Sequence, residues 1–374
     1  MKPGEVFSQI SEPTLLLNQA IARQNLRRMA EKARAAGVRF RPHFKTHQSA
    51  RIGEWFREEG VTAITVSSVE MALYFSAHGW EDILVAFPAN LRQMSAFNTL
   101  ARQVRLGLLV ESLQTVEALA EGLQYPVDLW LKIDSGSLRT GLAWDQPAAL
   151  LPILQKIRTH AGFRFQGLLT HSGHTYGGGG AERVIAAFET GIQRLDGLRQ
   201  QLAAAGYTSL EISVGDTPGC SLSSNFQPAD EIRPGNFIFY DGMQAAQGVC
   251  NWQDVAVCVA CPVVALHPER GTIILYGGAI HLSKEFIEVD GLRSYGLLGL
   301  PSGAGWSPPL PGASLISLSQ EHGVAQMLPQ QLAQMQVGDL VCVYPIHSCL
   351  AVSALGKYLT LEGEPISTFG RAGW

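Results

Sequence analysis

Residues 38–47 read VRFRPHFKTH, and the way this stretch folds decides what the rest of the chain can be. Phe40, Pro42 and Phe44 alternate with Arg39, Arg41, His43 and Lys45, which is the period-two pattern of a strand. An extended strand points the four basic groups to one face. Burying an ammonium or guanidinium costs several kcal/mol unless something pairs with it or uses it. On a strand of a closed barrel the outer face packs on helices and the inner face lines the barrel. Phe40, Pro42 and Phe44 are then expected outside, and Arg41, His43 and Lys45 inside. At the C-terminal end of such a strand, where barrel enzymes build their sites, a lysine can serve as a nucleophile.

From about residue 38 to 240 the chain alternates such runs with helix formers. The strand candidates are VRFRPHFK, AITVSS, DILVAF, VRLGLLVE, VDLWLKID, FQGLLTHS, LEISVG and EIRPGNF, with Ala-, Leu-, Gln-, Glu- and Arg-rich segments between most of them. Eight βα units over about 200 residues predict an α/β protein with a (β/α)8 TIM-type barrel, an open doubly wound sheet being the structural competitor. Beyond about residue 250 Pro, Gly and Ser increase and β-like pieces such as VAVCVACPVVALH, GTIILYGG and DLVCVYPIH follow one another. The division expected is a barrel over 13–248 and a second, mostly β domain over 249–374, with residues 1–12 packed on the latter. LPSGAGWSPPLPGAS reads as a loop, since its Pro and Gly residues sustain neither ladder.

Composition narrows the class of function. The chain has 374 residues, 46% hydrophobic and 16% charged, with 28 Lys+Arg against 32 Asp+Glu and a net charge of -4. No basic run offers a surface to phosphate backbones or anionic lipid, so neither nucleic acid nor membrane is an expected partner. The opening MKPGEVFSQISEP lacks an apolar core of signal-peptide length, and VAVCVACPVVAL at 255–266 is too short to span a bilayer; a cytoplasmic protein is expected. Six irregularly spaced cysteines form no dense disulfide framework, and reduced thiols are expected.

Several strand ends carry chemistry-bearing residues. LKIDSGSLRTGL ends an apolar run with Asp134 and then Arg139 in a Gly-bounded loop, a pattern also made by a cap and a surface ion pair. LLTHSGHTYGGGG delivers His171 at a strand end, followed by Tyr176 and glycines that let backbone approach a ligand. A metal pair of His171 with His174 is the lesser reading. Gly215, Asp216 and Thr217 in SVGDTP, with Gly235 and Asn236 in EIRPGNF, offer backbone N–H groups and short side chains where this fold commonly binds phosphate. The thiols of CVAC, Cys258 and Cys261, would point to opposite faces of a strand and make no site. In PIHSC, His347 and Cys349 are two apart, so an extended strand would present both on one side with backbones about 7 Å apart. An imidazole with a thiolate favours a zinc-like ion. QEHG at 320–323 is a polar cluster that fits a loop or a site wall.

Taken in order, RPHFKTH, DSGSLRTG, LLTHSGHTY, SVGDTP, EIRPGNFIFYD, QEHG and PIHSC resemble the fold-type III pyridoxal-phosphate enzymes related to alanine racemase. Within them the chain is similar to the group of D-threonine aldolase, D-serine dehydratase and D-threo-3-hydroxyaspartate dehydratase. The resemblance runs from about residue 12 to the terminal GRAGW. It implies that Lys45 carries pyridoxal 5'-phosphate, with His43 from the same motif beside it. It places Arg139, His171 and Tyr176 around the ring, with Tyr176 the candidate partner of the pyridine nitrogen. It assigns Gly215, Thr217, Gly235 and Asn236 to the phosphate, and His347 and Cys349 to a divalent metal, zinc before manganese. It further implies a homodimer and a lyase acting on D-3-hydroxyamino acids such as D-serine or D-threonine, by dehydration or aldol cleavage. The competing expectations are a pyridoxal-phosphate-dependent amino-acid racemase and a non-catalytic pyridoxal-phosphate-binding protein. Two positions depart from the family pattern: Gly277 stands where an acid is common, and Asp216 where a small hydroxyl residue is common.

Overall fold

The computed structural model describes residues 5–177, 179–289, 291–303 and 305–370. Of the terminal GRAGW only Gly370 lies within them. By its internal packing the chain divides into two compact units, one of residues Arg28–Lys45 and Gly53–Gly235, the other of Met1–Arg27, Thr46–Ile52 and Asn236–Trp374.

The first unit is the barrel. Its parallel strands run Arg39–Phe40, Glu231–Ile232, Glu211–Val214, Phe163–Leu169, Val127–Asp134, Arg105–Val110, Asp82–Pro88 and Ala63–Val66 around the sheet. A parallel bridge between His43 and Thr65 joins the first of these to the last, with the Phe44 N–H donating to the Thr65 carbonyl at 2.8 Å and the Thr65 N–H to the Pro42 carbonyl at 2.9 Å. The barrel expected from the alternation is therefore present. Its first strand is shorter than the sequence suggests, because Pro42 has no N–H to donate to a ladder.

Along this strand Phe44 faces outward, as alternation requires. Its ring lies 4.8 Å from Phe56, 4.9 Å from Phe75 and 5.0 Å from Trp80, and it is fully buried. Burial of such a side chain contributes about 2 to 3 kcal/mol. Arg41 faces inward, but it is spent on the barrel's own stability. Its Nε donates to Glu231 at 2.8 Å and its Nη1 to Asp82 at 2.6 Å. With Arg39–Glu211, Arg105–Asp128 and Arg164–Asp128 these pairs ring the N-terminal ends of the strands. Arg41 thus does not belong with His43 and Lys45, contrary to the single basic face read from the sequence.

The second unit is built on a nine-stranded sheet in the order Thr272–Tyr276, His322–Gln326, Ser314–Leu318, Gly296–Gly299, Leu340–Pro345, Val257–His267, Thr14–Leu17, Lys357–Thr360 and Pro365–Ser367. Thr272–Tyr276 also pairs with Val257–His267, so the sheet curls back on itself. All pairings are antiparallel except that of Thr14–Leu17 with Lys357–Thr360. Val6, Phe7, Leu16, Cys258, Ala260, Cys342 and Leu361 form one of its apolar clusters. Cys258 and Cys261 are both buried in this unit, and the cysteines are unbridged, as expected. Among the described residues no helix is long and apolar enough to cross a membrane.

Candidate active site

The barrel places a set of polar residues beyond the C-terminal ends of its strands. His43 and Lys45 follow the first, Arg139 the strand Val127–Asp134, His171 and Tyr176 the strand Phe163–Leu169, Gly215 to Thr217 the strand Glu211–Val214, and Gly235 the strand Glu231–Ile232. The backbone N–H of Lys45 donates to His43 Nδ1 at 3.3 Å, which fixes that imidazole against the turn carrying the lysine. Asp134 is used locally: its Oδ1 accepts from the N–H groups of Gly136 (2.8 Å), Ser137 (2.8 Å) and Leu138 (3.2 Å), shaping the loop from which the exposed Arg139 projects.

His171 donates from Nδ1 to the Gly215 carbonyl at 2.7 Å, which settles its tautomer and leaves Nε2 as an acceptor. Burial, and then the charges of Lys45 and Arg139, hold the ring neutral by pushing its pKa well below the ordinary histidine value. A neutral, oriented aromatic ring beside a lysine suits a flat cofactor. His174 sits in the short turn Gly173–Tyr176, and no metal cluster forms around the two histidines among the described residues.

The phosphate candidates give the clearest fit. Among the described residues the buried Thr217 side-chain oxygen has no hydrogen-bond partner, an orphan that an anionic oxygen would satisfy. The Thr217 N–H donates to the Tyr176 hydroxyl oxygen at 3.2 Å. Gly215 lies so close to the next strand that a Cβ there would meet Arg233 backbone atoms at 2.9 and 3.0 Å. The departure at Asp216 has a structural answer. Its Oδ1 caps the helix Thr217–Leu222 by accepting from the Gly219 N–H at 2.6 Å and takes the Thr175 hydroxyl at 2.9 Å. Burial pushes its carboxyl up to about 7, so much of its charge is lost near neutrality. The departure at Gly277 also has a packing counterpart, since a Cβ there would meet the Cys261 sulfur at 2.4 Å.

The barrel interior also holds two cations that sequence reading passed over. Lys132 donates from Nζ to the Ile133 carbonyl at 3.0 Å, and burial, aided by Arg233 and Arg139, lowers its pKa to about 8. Arg233 donates to the Ser213 hydroxyl at 2.7 Å and to the Thr170 carbonyl, and burial lowers its pKa to about 10. Period-two reading of LKID could have flagged Lys132, which stands between the buried Leu131 and Ile133. A cavity of about 750 Å³ opens at the opposite, N-terminal end, lined by the ion-paired Arg39, Arg41, Asp82, Arg105, Asp128, Glu211 and Glu231. Those charges satisfy one another and leave little for a ligand.

In the second unit Asn236, Asp241, His347, Ser348 and Cys349 form a connected cluster. Asp241, fully buried, accepts from Asn236 Nδ2 at 2.6 Å, the Ser348 N–H at 3.1 Å and the Gln244 N–H at 3.0 Å. Asn236 Nδ2 also reaches Ser348 Oγ at 3.0 Å and the Cys349 sulfur at 3.7 Å. The amide nitrogen is thus committed inside this unit, while the buried Asn236 Oδ1 has no partner among the described residues. His347 and Cys349 are brought together differently from the extended pair expected. The strand ends at Pro345, His347 is the N-cap of the helix Ser348–Leu355, and Cys349 lies in its first turn. Although burial alone would lower it, hydrogen bonds with Cys349 and Glu285 raise the His347 pKa to about 11. Nδ1 of His347 lies 2.8 Å from Glu285 Oε2, and the Thr46 hydroxyl lies 3.3 Å from the Cys349 sulfur.

An imidazole and a thiol packed together with carboxylates nearby form a donor set that fits a borderline divalent cation. Among the described residues no group of three His, Cys, Asp or Glu that could hold a metal ion forms, so the pair offers two protein donors. Glu285 and Asp241 were not singled out from the sequence; Glu285 stands 62 residues before its partner and has no local signature.

Comparison with known proteins decides the family. The model for the alanine racemase N-terminal domain matches residues 17–242, and one for a serine dehydratase domain matches residues 256–361. The chain belongs to the alanine racemase N-terminal domain family, the fold-type III pyridoxal-phosphate enzymes. Within that family it is 28% identical to D-threo-3-hydroxyaspartate dehydratase of Delftia sp. (strain HT23) over 98% of each chain. The solved structure of that enzyme superposes with a TM-score of 0.89 at 27% identity, covering 98% of this chain and 99% of the other. D-serine dehydratase of Dictyostelium discoideum is 26% identical, covering 96% of this chain and 95% of that one. D-threonine aldolase of Arthrobacter sp. is 25% identical, with 92% and 88% covered. D-threo-3-hydroxyaspartate dehydratase has also been solved as a histidine-to-alanine mutant and as a cysteine-to-alanine mutant in the metal-free form, the two altered positions standing two apart.

Proposed function

We propose that the chain is a pyridoxal-phosphate- and divalent-metal-dependent lyase that dehydrates D-3-hydroxyamino acids of the D-serine and D-threonine type. The observation that carries this is the His347–Cys349 pair, in a chain that also presents Lys45 at a barrel strand end. Its support is the metal-free cysteine mutant of D-threo-3-hydroxyaspartate dehydratase, whose mutated histidine and cysteine have the same spacing, and the serine dehydratase domain match. A racemase would have no evident use for the pair, nor would a non-catalytic carrier.

Lys45 would hold the cofactor covalently, and Arg139, His171 and Tyr176 would surround its ring, with His43 backing the lysine. Thr217, Gly215, Gly235 and Asn236 would receive the phosphate, Thr217 through its orphan hydroxyl. His347 and Cys349 would hold the metal, zinc in the first place and manganese in the second. When bound, pyridoxal phosphate withdraws charge from the substrate's α-carbon and the metal acts as a Lewis acid toward its β-hydroxyl. The work left to the protein is acid–base and positional. Lys45 Nζ, once the substrate's amino group has taken its place on the cofactor, would take the α-proton and hold it. His171, fixed through Nδ1 on the Gly215 carbonyl, stays neutral and does not compete for that proton. Asp241 fixes the Ser348 N–H between the two metal-binding residues. The reading includes a cytoplasmic homodimer, checked by light scattering of the purified protein.

The test is a product assay. D-serine should yield pyruvate and D-threonine 2-oxobutyrate, both with ammonia. Glycine with acetaldehyde from D-threonine would move the assignment to aldol cleavage. His347→Ala and Cys349→Ala should each abolish turnover while the cofactor absorbance stays. Undiminished turnover after exhaustive chelation would refute metal dependence, and α-proton exchange with inversion under chelation would establish a racemase.

A further inference from the structure

We infer that Glu285 is a positioning residue that orients His347 for the metal. The inference rests on the reading that His347 and Cys349 hold the metal, and it concerns a residue outside every motif named above. The geometry is direct: Glu285 Oε2 lies 2.8 Å from His347 Nδ1. A neutral imidazole has one N–H and one lone pair. When an ion displaces the proton that Nε2 shares with Cys349, Nδ1–H still donates to the carboxylate and the Nε2 lone pair is the one left for that ion. The contact thus sets the tautomer, restrains the ring and makes Nε2 a stronger donor, the role that carboxylates play behind metal-binding histidines in general.

The surroundings of Glu285 suit this role. The helix Ala279–Leu282 ends on Ser283, whose φ of 76° is unfavourable for any residue with a Cβ. That turn redirects the chain, and the Glu285 N–H is braced by Ser283 Oγ at 3.3 Å. On the other side Phe286 packs on Tyr295, ring centroids 6.1 Å apart, and under the Arg293 guanidinium at 4.5 Å. The hairpin Ile287–Val289 with Leu292–Ser294 follows directly. Glu285 is therefore held from both sides. An ordinary exposed ion pair, to which its 42% exposed side chain would otherwise be assigned, contributes little and would not affect metal affinity.

The experiment uses the pyridoxal-loaded holoenzyme, stripped of metal and titrated with zinc against a chromophoric chelator. Wild type, His347→Ala, Glu285→Ala and Glu285→Gln are compared, with cofactor absorbance and thermal midpoint recorded on the metal-free forms. Glu285→Ala should weaken zinc binding about 10- to 100-fold, with absorbance and midpoint unchanged. Glu285→Gln should recover part of the loss, because its amide oxygen still accepts from Nδ1–H. The cobalt-substituted proteins should show the same set of ligands. Zinc affinity of Glu285→Ala within twofold of wild type, while His347→Ala abolishes binding, overturns the inference and leaves the metal assignment standing. Zinc binding indifferent to His347→Ala overturns the assignment and the inference with it. Equal losses in both Glu285 variants, with one ligand fewer in the cobalt spectrum, would make Glu285 a ligand and refute its role as a positioner. A fallen midpoint in both variants would reduce the contact to a structural one.

Discussion

Replacing Arg41 by methionine should cost the fold stability without touching the cofactor. The guanidinium side chain is 9% exposed and faces Glu231, which is 1% exposed, at 2.8 Å, and Asp82, 25% exposed, at 2.6 Å. Breaking a buried ion pair from one side costs about 3 to 5 kcal/mol, because the other charge is left without compensation. Here Glu231 retains the Ser213 hydroxyl at 2.7 Å and Arg39 at 3.4 Å, which places the expected loss at the lower end, about 3 kcal/mol. At about 2.1 cal/mol/K per residue over 374 residues the unfolding entropy is about 0.8 kcal/mol/K, so the midpoint should fall by about 4 °C. The loss should depend on pH with a defined sign. In the native protein Glu231 has a lowered pKa, Arg41 and its other partners outweighing the effect of burial. Without Arg41 burial prevails, and the folded pKa rises above the unfolded one. The penalty then grows as pH rises through that window and is relieved in acid. Urea unfolding at pH 5 and pH 8, with a cofactor titration beside it, measures both. The double variant Arg41→Met, Glu231→Leu should regain most of the loss. A destabilisation below about 1 kcal/mol, or weakened cofactor binding at unchanged stability, would refute this account and make Arg41 a cofactor-site residue.

Lys45→Ala should lose the covalently held cofactor, seen as disappearance of its visible absorbance after gel filtration, while circular dichroism stays native. His47 is fully buried and burial lowers its pKa to about 3. The unfolded chain therefore takes up a proton below pH 6.5 that the folded one refuses, and stability should fall by about 2 kcal/mol between pH 6.5 and 5. His47→Asn should flatten that slope in a pH series of urea melts; an unchanged slope would assign it to other groups. Gly215→Ala should cost about 1 to 3 kcal/mol by overpacking against Arg233 and weaken pyridoxal phosphate binding, readable by equilibrium dialysis.

The barrel was legible because most of its eight strand candidates, DILVAF and VRLGLLVE among them, carry an apolar run of the kind a buried parallel strand requires. Strand ends were less so, for local reasons. VRFRPHFK and EIRPGNF each contain a proline, and the laddered parts shrink to Arg39–Phe40 and Glu231–Ile232. PIHSC shows the opposite failure. Nothing in five residues reveals that the chain turns into a helix at Ser348, so the spacing of His347 and Cys349 was informative while the geometry drawn from it was not. The partners of these residues were not legible at all. Asp241 and Glu285 act through contacts 107 and 62 residues apart in sequence, and neither carries a pattern of its own.

The basic stretch at 39–45 shows how period and depth must be read together. Alternation correctly turns Arg41 inward and Phe44 outward, but the chain leaves the extended form at the turn that carries Lys45. Alternation is silent about height. Arg41 directly follows the strand Arg39–Phe40, whereas Lys45 lies in the turn of residues 44–47 beyond it. Arg41 therefore lies at the N-terminal ends of the strands, where Glu231 and Asp82 neutralise it, and Lys45 at the C-terminal ends, where the strands deliver His171, Gly215 and Thr217. A ring of fixed ion pairs at one end and, at the other, a neutral His171 with a buried Thr217 hydroxyl that has no partner among the described residues is what separates the stabilising end from the binding end in this fold. The distinction follows from which end of the strand a residue occupies, and a single face drawn from the sequence merges the two.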